Sequence, residues 1–227
     1  MAEQTVLIIG ASRGIGLGLV REFADRGWRV YGTERSRSDD LHSLADTREN
    51  VELLNVDVTN DASVRSAIEH FKDRSLDVVV VNAGITGADH QSVEKASHED
   101  IAHVMMTNAV GPAAMAKKLL PKMKDGARLG MMTSRMGSIA DSSGGFELYR
   151  MSKTAQNILA RGISEQQAKA RGICVLSLHP GWVKTDMGGP NATITVEESV
   201  NGLCDLLEKE RSDEHRFLAY DGSEIPW

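Results

Sequence analysis

The chain has 227 residues, 41% of them hydrophobic and 26% charged, with a net charge of −6. That mixture supports one self-sufficient core and is not the composition of a disordered chain. An acidic balance with no basic stripe argues against nucleic-acid binding, whose affinity comes from neutralising phosphates.

Membrane insertion and secretion are not expected either. No apolar run approaches the ~18 residues of a membrane span. Gly10 and Arg13 interrupt the apolar start before it could act as a secretory leader. Cys174 and Cys204 are too few for a disulfide framework or a zinc site, and read as reduced thiols of a cytoplasmic protein.

Taken in chain order, residues 5–9, 29–33, 51–55, 77–81, 128–132 and 173–178 are short, nearly continuous apolar runs. Strands covered on both faces have that character. Helical patterns occupy 14–26, 61–73, 98–123, 147–170 and 195–210. Asn60 precedes the second of these as an N-cap, and Pro121 should end or kink the third. Strand alternating with helix signals an α/β domain with a parallel sheet and right-handed crossovers. One domain over residues 1–227 is expected, holding cofactor and substrate sites together.

Directly after the first strand stands Gly10-Ala11-Ser12-Arg13-Gly14-Ile15-Gly16. Glycines between a strand and a helix N-terminus let backbone approach a pyrophosphate, whose charge meets free N–H groups and the positive helix end. The G-x-x-x-G-x-G spacing is neither the G-x-G-x-x-G fingerprint nor a P-loop, which ends in Gly-Lys-Ser/Thr. Further polar residues gather at carboxyl ends of strands, where ligands of open α/β sheets sit. Asn55-Val56-Asp57-Val58 follows the third strand, Asn82-Ala83-Gly84 the fourth and Ser134 the fifth, while Tyr149-x-x-x-Lys153 opens the next helix.

In this combination and order, with Asn108 and Pro180-Gly181, the chain resembles the short-chain dehydrogenase/reductases along essentially its whole length. The run Pro180-Gly181-Trp182-Val183-Lys184-Thr185-Asp186-Met187-Gly188-Gly189 is similar to the C-factor/sniffer-type carbonyl reductase branch. The resemblance implies a Rossmann-type doubly wound sheet of order 3-2-1-4-5-6-7 with helices on both faces. It also implies a homodimer or homotetramer formed through the helices at 98–123 and 147–170.

Tyr149 and Lys153 are four residues apart and share a helix face. A tyrosine pKa of ~10 is too high for easy proton exchange at neutral pH, and a nearby ammonium should draw it down. By resemblance Tyr149 is the general acid/base, Lys153 its tuner and a ligand of the nicotinamide ribose, and Ser134 the substrate positioner. Asn108 matches the family's asparagine that anchors a proton-relay water. Gly10, Ser12, Arg13, Gly14, Ile15 and Gly16 would cradle the cofactor pyrophosphate, and Asp57 and Val58 the adenine. Asn82, Ala83 and Gly84 would line the cofactor site, with Pro180, Gly181, Val183 and Thr185 beside the carboxamide. Phe146, Trp182 and Met187 could wall the substrate side, and a short loop at 187–195 suggests an open, permissive pocket.

The cofactor signals conflict. Arg13 and Arg35 occupy positions where this family places cations for a 2′-phosphate, while Glu34 matches the acid of NAD-preferring members. Charges 4 Å apart at an effective dielectric of 20 interact by about 4 kcal/mol, so two guanidiniums outweigh one carboxylate. NADP(H) is therefore favoured, with NAD(H) the alternative.

Other signals point nowhere. His98 and His103 are five residues apart, not the four of H-E-x-x-H, and no metal site is expected. His179 reads as a satisfied strand-end histidine, and Met105, Met106, Met131, Met132 and Met136 as core filling. The expected activity is NADPH-dependent reduction of an aldehyde or ketone, or its reverse. The alternative is a cofactor-binding signalling protein of the C-factor type.

Overall fold

Along the first strand, β1 (Thr5–Ile9), Val6 and Ile8 face one way and Leu7 and Ile9 the other, and all four are buried. An alternating strand with both faces apolar must be covered on both sides. The structure, a computed structural model that describes residues 3–227, supplies that cover. Seven parallel strands run in the order β3-β2-β1-β4-β5-β6-β7. They are β2 (Arg29–Glu34), β3 (Val51–Asn55), β4 (Leu76–Val81), β5 (Met123–Met132), β6 (Cys174–His179) and β7 (Arg216–Ala219), with β1 near the centre. This is the expected Rossmann-type architecture.

One face packs on α1 (Gly14–Asp25), α2 (Asp39–Asp46) and α7 (Val196–Lys209) through Leu19, Phe23, Leu41, Leu203 and Leu207. The other packs on α3 (Asp61–His70), α5 (Gly111–Leu119) and α6 (Glu147–Ile163) through Val64, Met115, Leu119, Ala160 and Ile163. Cys174 and Cys204 are buried, free thiols in this packing. The chain leaves β3 at one edge and re-enters as β4 on the far side of β1. The adjacent β1 and β4 ends therefore form the crevice where the strand order reverses.

Several elements differ from the sequence reading. The helix expected over 98–123 is α4 (His98–Met105), a wide π-helical turn Met106–Val110, then α5. Pro112 has no N–H to offer the Asn108 carbonyl four residues earlier, so an ordinary turn cannot close there. The helix stops at Leu119, before Pro121, and β5 begins at Met123, five residues earlier than expected. Met106, expected in the core, is 41% exposed. The charged stretch after β2 folds as α2, capped by Ser38, whose Oγ accepts from Leu41 N at 3.3 Å. Asn60 caps α3 as expected, accepting from Ser63 N at 3.0 Å. Among the described residues no helix is long and apolar enough to cross a membrane.

Candidate active site

The glycine turn is held to the two central strands by backbone and amide. Thr33 on β2 accepts from Gly10 N through its hydroxyl at 3.0 Å and from Ala11 N through its carbonyl at 2.7 Å. Asn82, at the end of β4, donates Nδ2 to the Gly10 carbonyl at 2.7 Å. Gly10 has a φ of +84°, and a Cβ there would lie 2.8 Å from the Ala83 backbone; on Gly16 it would strike the Gly10 carbonyl. Only glycine allows this approach.

Above the turn opens a cleft of about 460 Å³. It is lined by Gly10, Ser12, Arg13, Gly14, Ile15, Arg35, Asp57, Val58, Asn82, Ala83, Gly84, Tyr149, Lys153, Pro180 and Thr185, each singled out in the sequence. Asp57 accepts from the Thr59 N–H at 2.8 Å and hydroxyl at 2.7 Å. Burial alone would raise its pKa, but these bonds hold it below the usual carboxylate range.

Six expected site residues do not line the cleft. Gly16 supports the turn from below. Gly181 has φ +87°, and Val183 is buried, bridging Ile194 as the following segment folds back. Ser134 is buried and caps the short turn Arg135–Gly137 by accepting from Met136 N at 3.2 Å.

Asn108, fully buried in the π-helical turn, uses its side chain as a clamp. Oδ1 accepts from Ile85 N at 2.8 Å, while Nδ2 donates to Ile85 O at 2.8 Å and Ser152 Oγ at 3.0 Å. Both Nδ2 hydrogens are thereby used, and one of the two acceptor positions of Oδ1 is filled.

Glu34 is the clearest correction. It turns away from the cleft, with its carboxylate taken by Ser38 N at 2.6 Å and His42 Nε2 at 2.7 Å.

The cleft also contains Leu17, Asp40, Ile85, Thr107 and Thr133, which the sequence did not flag, with Val56 of the marked segment and Met132, expected as core filling. Most flank the marked strand ends and could have been found by extending those segments; Asp40 carries no sequence signal. The Thr107 hydroxyl is buried without a partner. Lys184, Asp186 and Met187 complete the wall, with Arg13 paired to Asp186 at 3.3 Å. Of the three expected apolar walls only Met187 lines this cleft. Phe146 lines a shallower depression with His90 and Gln91, and Trp182 is exposed, donating Nε1 to the Gly188 carbonyl at 2.8 Å.

Tyr149 and Lys153 meet at the inner end. Gly144, Gly145 and Phe146 are all left-handed, and Phe146 gives α6 no side-chain cap. Gln91 substitutes, its carbonyl accepting from Leu148 N and its Oε1 from Tyr149 N, both at 3.1 Å. Lys153 Nζ lies 5.8 Å from the Tyr149 ring centre and donates to Met132 O at 3.0 Å and Gln156 Oε1 at 3.1 Å.

Burial opposes the expected lowering of the tyrosine pKa. Burial pushes Tyr149 up to about 12, against a smaller opposing effect of the Ser134 side chain. Burial likewise lowers Lys153 to about 8. Desolvation dominates both shifts, and the Lys153 donors point at Met132 O and Gln156 Oε1. His179 is not the satisfied histidine expected: its buried Nδ1 has no partner, and burial with the Arg135 charge lowers its pKa to about 4.

A strand-to-helix glycine turn thus meets a crevice at the strand reversal, with half-buried Tyr149 beside buried Lys153 and Ser134. The family model for short chain dehydrogenases matches residues 4–193. The chain is 40% identical over 157 residues to C-signal of Myxococcus xanthus, covering 67% of this chain and 93% of that one. A crystal structure of a carbonyl reductase from Pseudomonas aeruginosa PAO1 in complex with NADP has a TM-score of 0.92 at 35% identity, covering 100% of both chains. The carbonyl reductase Sniffer of D. melanogaster has a TM-score of 0.89 at 31% identity, covering 99% of this chain and 100% of that one. The chain belongs to the short-chain dehydrogenase family, a family of oxidoreductases.

Proposed function

We propose that this protein reduces an aldehyde or ketone with NADPH, or runs the reverse alcohol oxidation, with Tyr149 as the proton-transferring residue. The observation that carries the reading is Tyr149 and Lys153 at the inner end of a cleft whose far side carries Arg13 and Arg35. The cradle at Gly10 and Gly16, which a Cβ would fill, suits a pyrophosphate, and two guanidiniums suit a 2′-phosphate. Asp57 and Val58 would hold the adenine, Lys153 the nicotinamide ribose, and Pro180 and Thr185 the carboxamide. A bound nicotinamide would supply the hydride. The NADP complex of the P. aeruginosa carbonyl reductase supports this choice.

The protein's part is proton handling. With its pKa pushed up to about 12, Tyr149 is a neutral phenol at physiological pH. It can therefore donate its proton to a carbonyl oxygen as negative charge develops there. The Ser134 hydroxyl, near the phenol, offers that oxygen a second hydrogen bond. When protonated, Lys153 stabilises the phenolate left behind, in a buried setting where such a charge acts strongly. Asn108 holds Ile85 and Ser152 around this group; a proton relay would run from its carbonyl, which Pro112 cannot satisfy.

Tyr149→Phe is the test. Turnover should fall by at least ~10²-fold, the size of general acid catalysis, while NADPH still binds. Unchanged turnover overturns the assignment. Similarity to C-signal favours a second reading, a cofactor-binding signalling protein, which predicts that biological activity survives Tyr149→Phe.

A further inference from the structure

The acid that selects NAD in a dinucleotide fold stands at the end of the second strand, about 20 residues beyond the glycine turn. There it binds the ribose diol and repels a 2′-phosphate. Glu34 occupies that place as the last residue of β2, yet only 10% of its side chain is exposed and it does not line the cleft.

Its restraint is a chain of hydrogen bonds. Arg37 Nη1 lies 3.0 Å from His42 Nδ1, and His42 Nε2 lies 2.7 Å from Glu34 Oε1. A guanidinium has donors only, so Nδ1 is the bare acceptor. The ring then carries its proton on Nε2 and donates it to the carboxylate. Ser38 closes the other side: its N–H donates to Glu34 Oε2 at 2.6 Å and its hydroxyl to the Ser12 carbonyl at 2.6 Å. Both carboxylate oxygens are thus engaged, and the restraint reaches the glycine turn itself.

We propose that His42 is a specificity-determining residue, holding Glu34 out of the cleft so that the site accepts a phosphorylated dinucleotide. The inference rests on the NADPH reading above. Charge balance shows why the restraint matters. The cleft lining carries Arg13, Arg35, Lys153 and Lys184 against Asp40, Asp57 and Asp186. One further carboxylate would cancel the remaining positive charge.

The test measures binding, by nicotinamide fluorescence titration of the full chain with NADPH and with NADH. His42→Ala should lower the NADPH-to-NADH affinity ratio about tenfold, the scale of one screened like-charge repulsion. His42→Gln, whose amide can replace the Nε2 donor, should keep the wild-type ratio. Glu34→Gln alone should change the ratio little, but should restore it in the His42→Ala background. Arg37→Met, which leaves the His42–Glu34 pair in place, should move the ratio the same way by a smaller step. It serves as the independent variant if His42→Ala melts early.

An unchanged ratio in His42→Ala overturns the inference. So does a Glu34→Gln effect that is equal in both backgrounds. If the wild-type chain binds neither nucleotide, the cofactor reading falls and this inference with it. If it binds both and only the His42 effect is missing, the cofactor reading stands and the inference alone falls.

Discussion

Tyr149 and Lys153 are the residues whose spacing was plainest in the chain and whose chemistry was least so. Sharing a helix face says nothing about where an ammonium points. In the folded protein it points at Met132 O and Gln156 Oε1, and burial sets both pKa values. A consequence for stability follows. Folded Lys153 loses its proton near pH 8, whereas in the unfolded chain it holds it to about 10.5. Between those values the unfolded state binds more protons, so this residue makes stability rise with pH. Tyr149 acts oppositely from about pH 10 to 12, where only the folded state keeps its phenol proton. Urea-unfolding midpoints of wild type and Lys153→Met, compared from pH 7.5 to 10, should therefore converge on or cross toward the wild type. A constant difference would mean that Lys153 is not held below its ordinary value.

At the scale of elements, the site depends on how helices start and break. The π-helical turn Met106–Val110 places Asn108 against Ile85 and Ser152, joining α4, the segment after β4 and α6. Asn108→Ala would strand the Ile85 N–H and carbonyl in a half-buried position. That should cost about 2–3 kcal/mol, read as a lowered urea midpoint with unchanged slope. Wild-type stability would mean that the side chain is no clamp. The Asn108 motif was legible, but its bonds were not, because Ile85 is 23 residues away in the chain. Gln91 was missed for the same reason: a glutamine in a loop carries no periodicity, and only the fold brings it to the N-terminus of α6.

At the scale of the whole molecule, an apolar surface is left over. Met106, Val110 and Ile158 are 41%, 43% and 67% exposed, on the two helical segments expected to pair in an oligomer. Large apolar side chains exposed on neighbouring helices suit association with a second copy. Ile158→Glu should shift the protein from dimer or tetramer to monomer in sedimentation velocity. A wild-type monomer, or an oligomer indifferent to the substitution, would rule this face out.

The parallel sheet, its two-sided cover and the glycine turn were determined by the sequence, because strand alternation, apolar runs and backbone permissiveness are local properties of residues. Thr33 and Asn82 could brace that turn only once β2 and β4 lay on either side of β1. The sequence favoured the arginines over Glu34 by weighing charges, but charge by itself does not say which way a side chain faces. Only the fold brings His42 and Ser38, one helical turn apart on α2 and its cap, to both carboxylate oxygens of Glu34. Hydrogen bonding and desolvation belong to neighbours in space, and those neighbours exist only after the chain has folded.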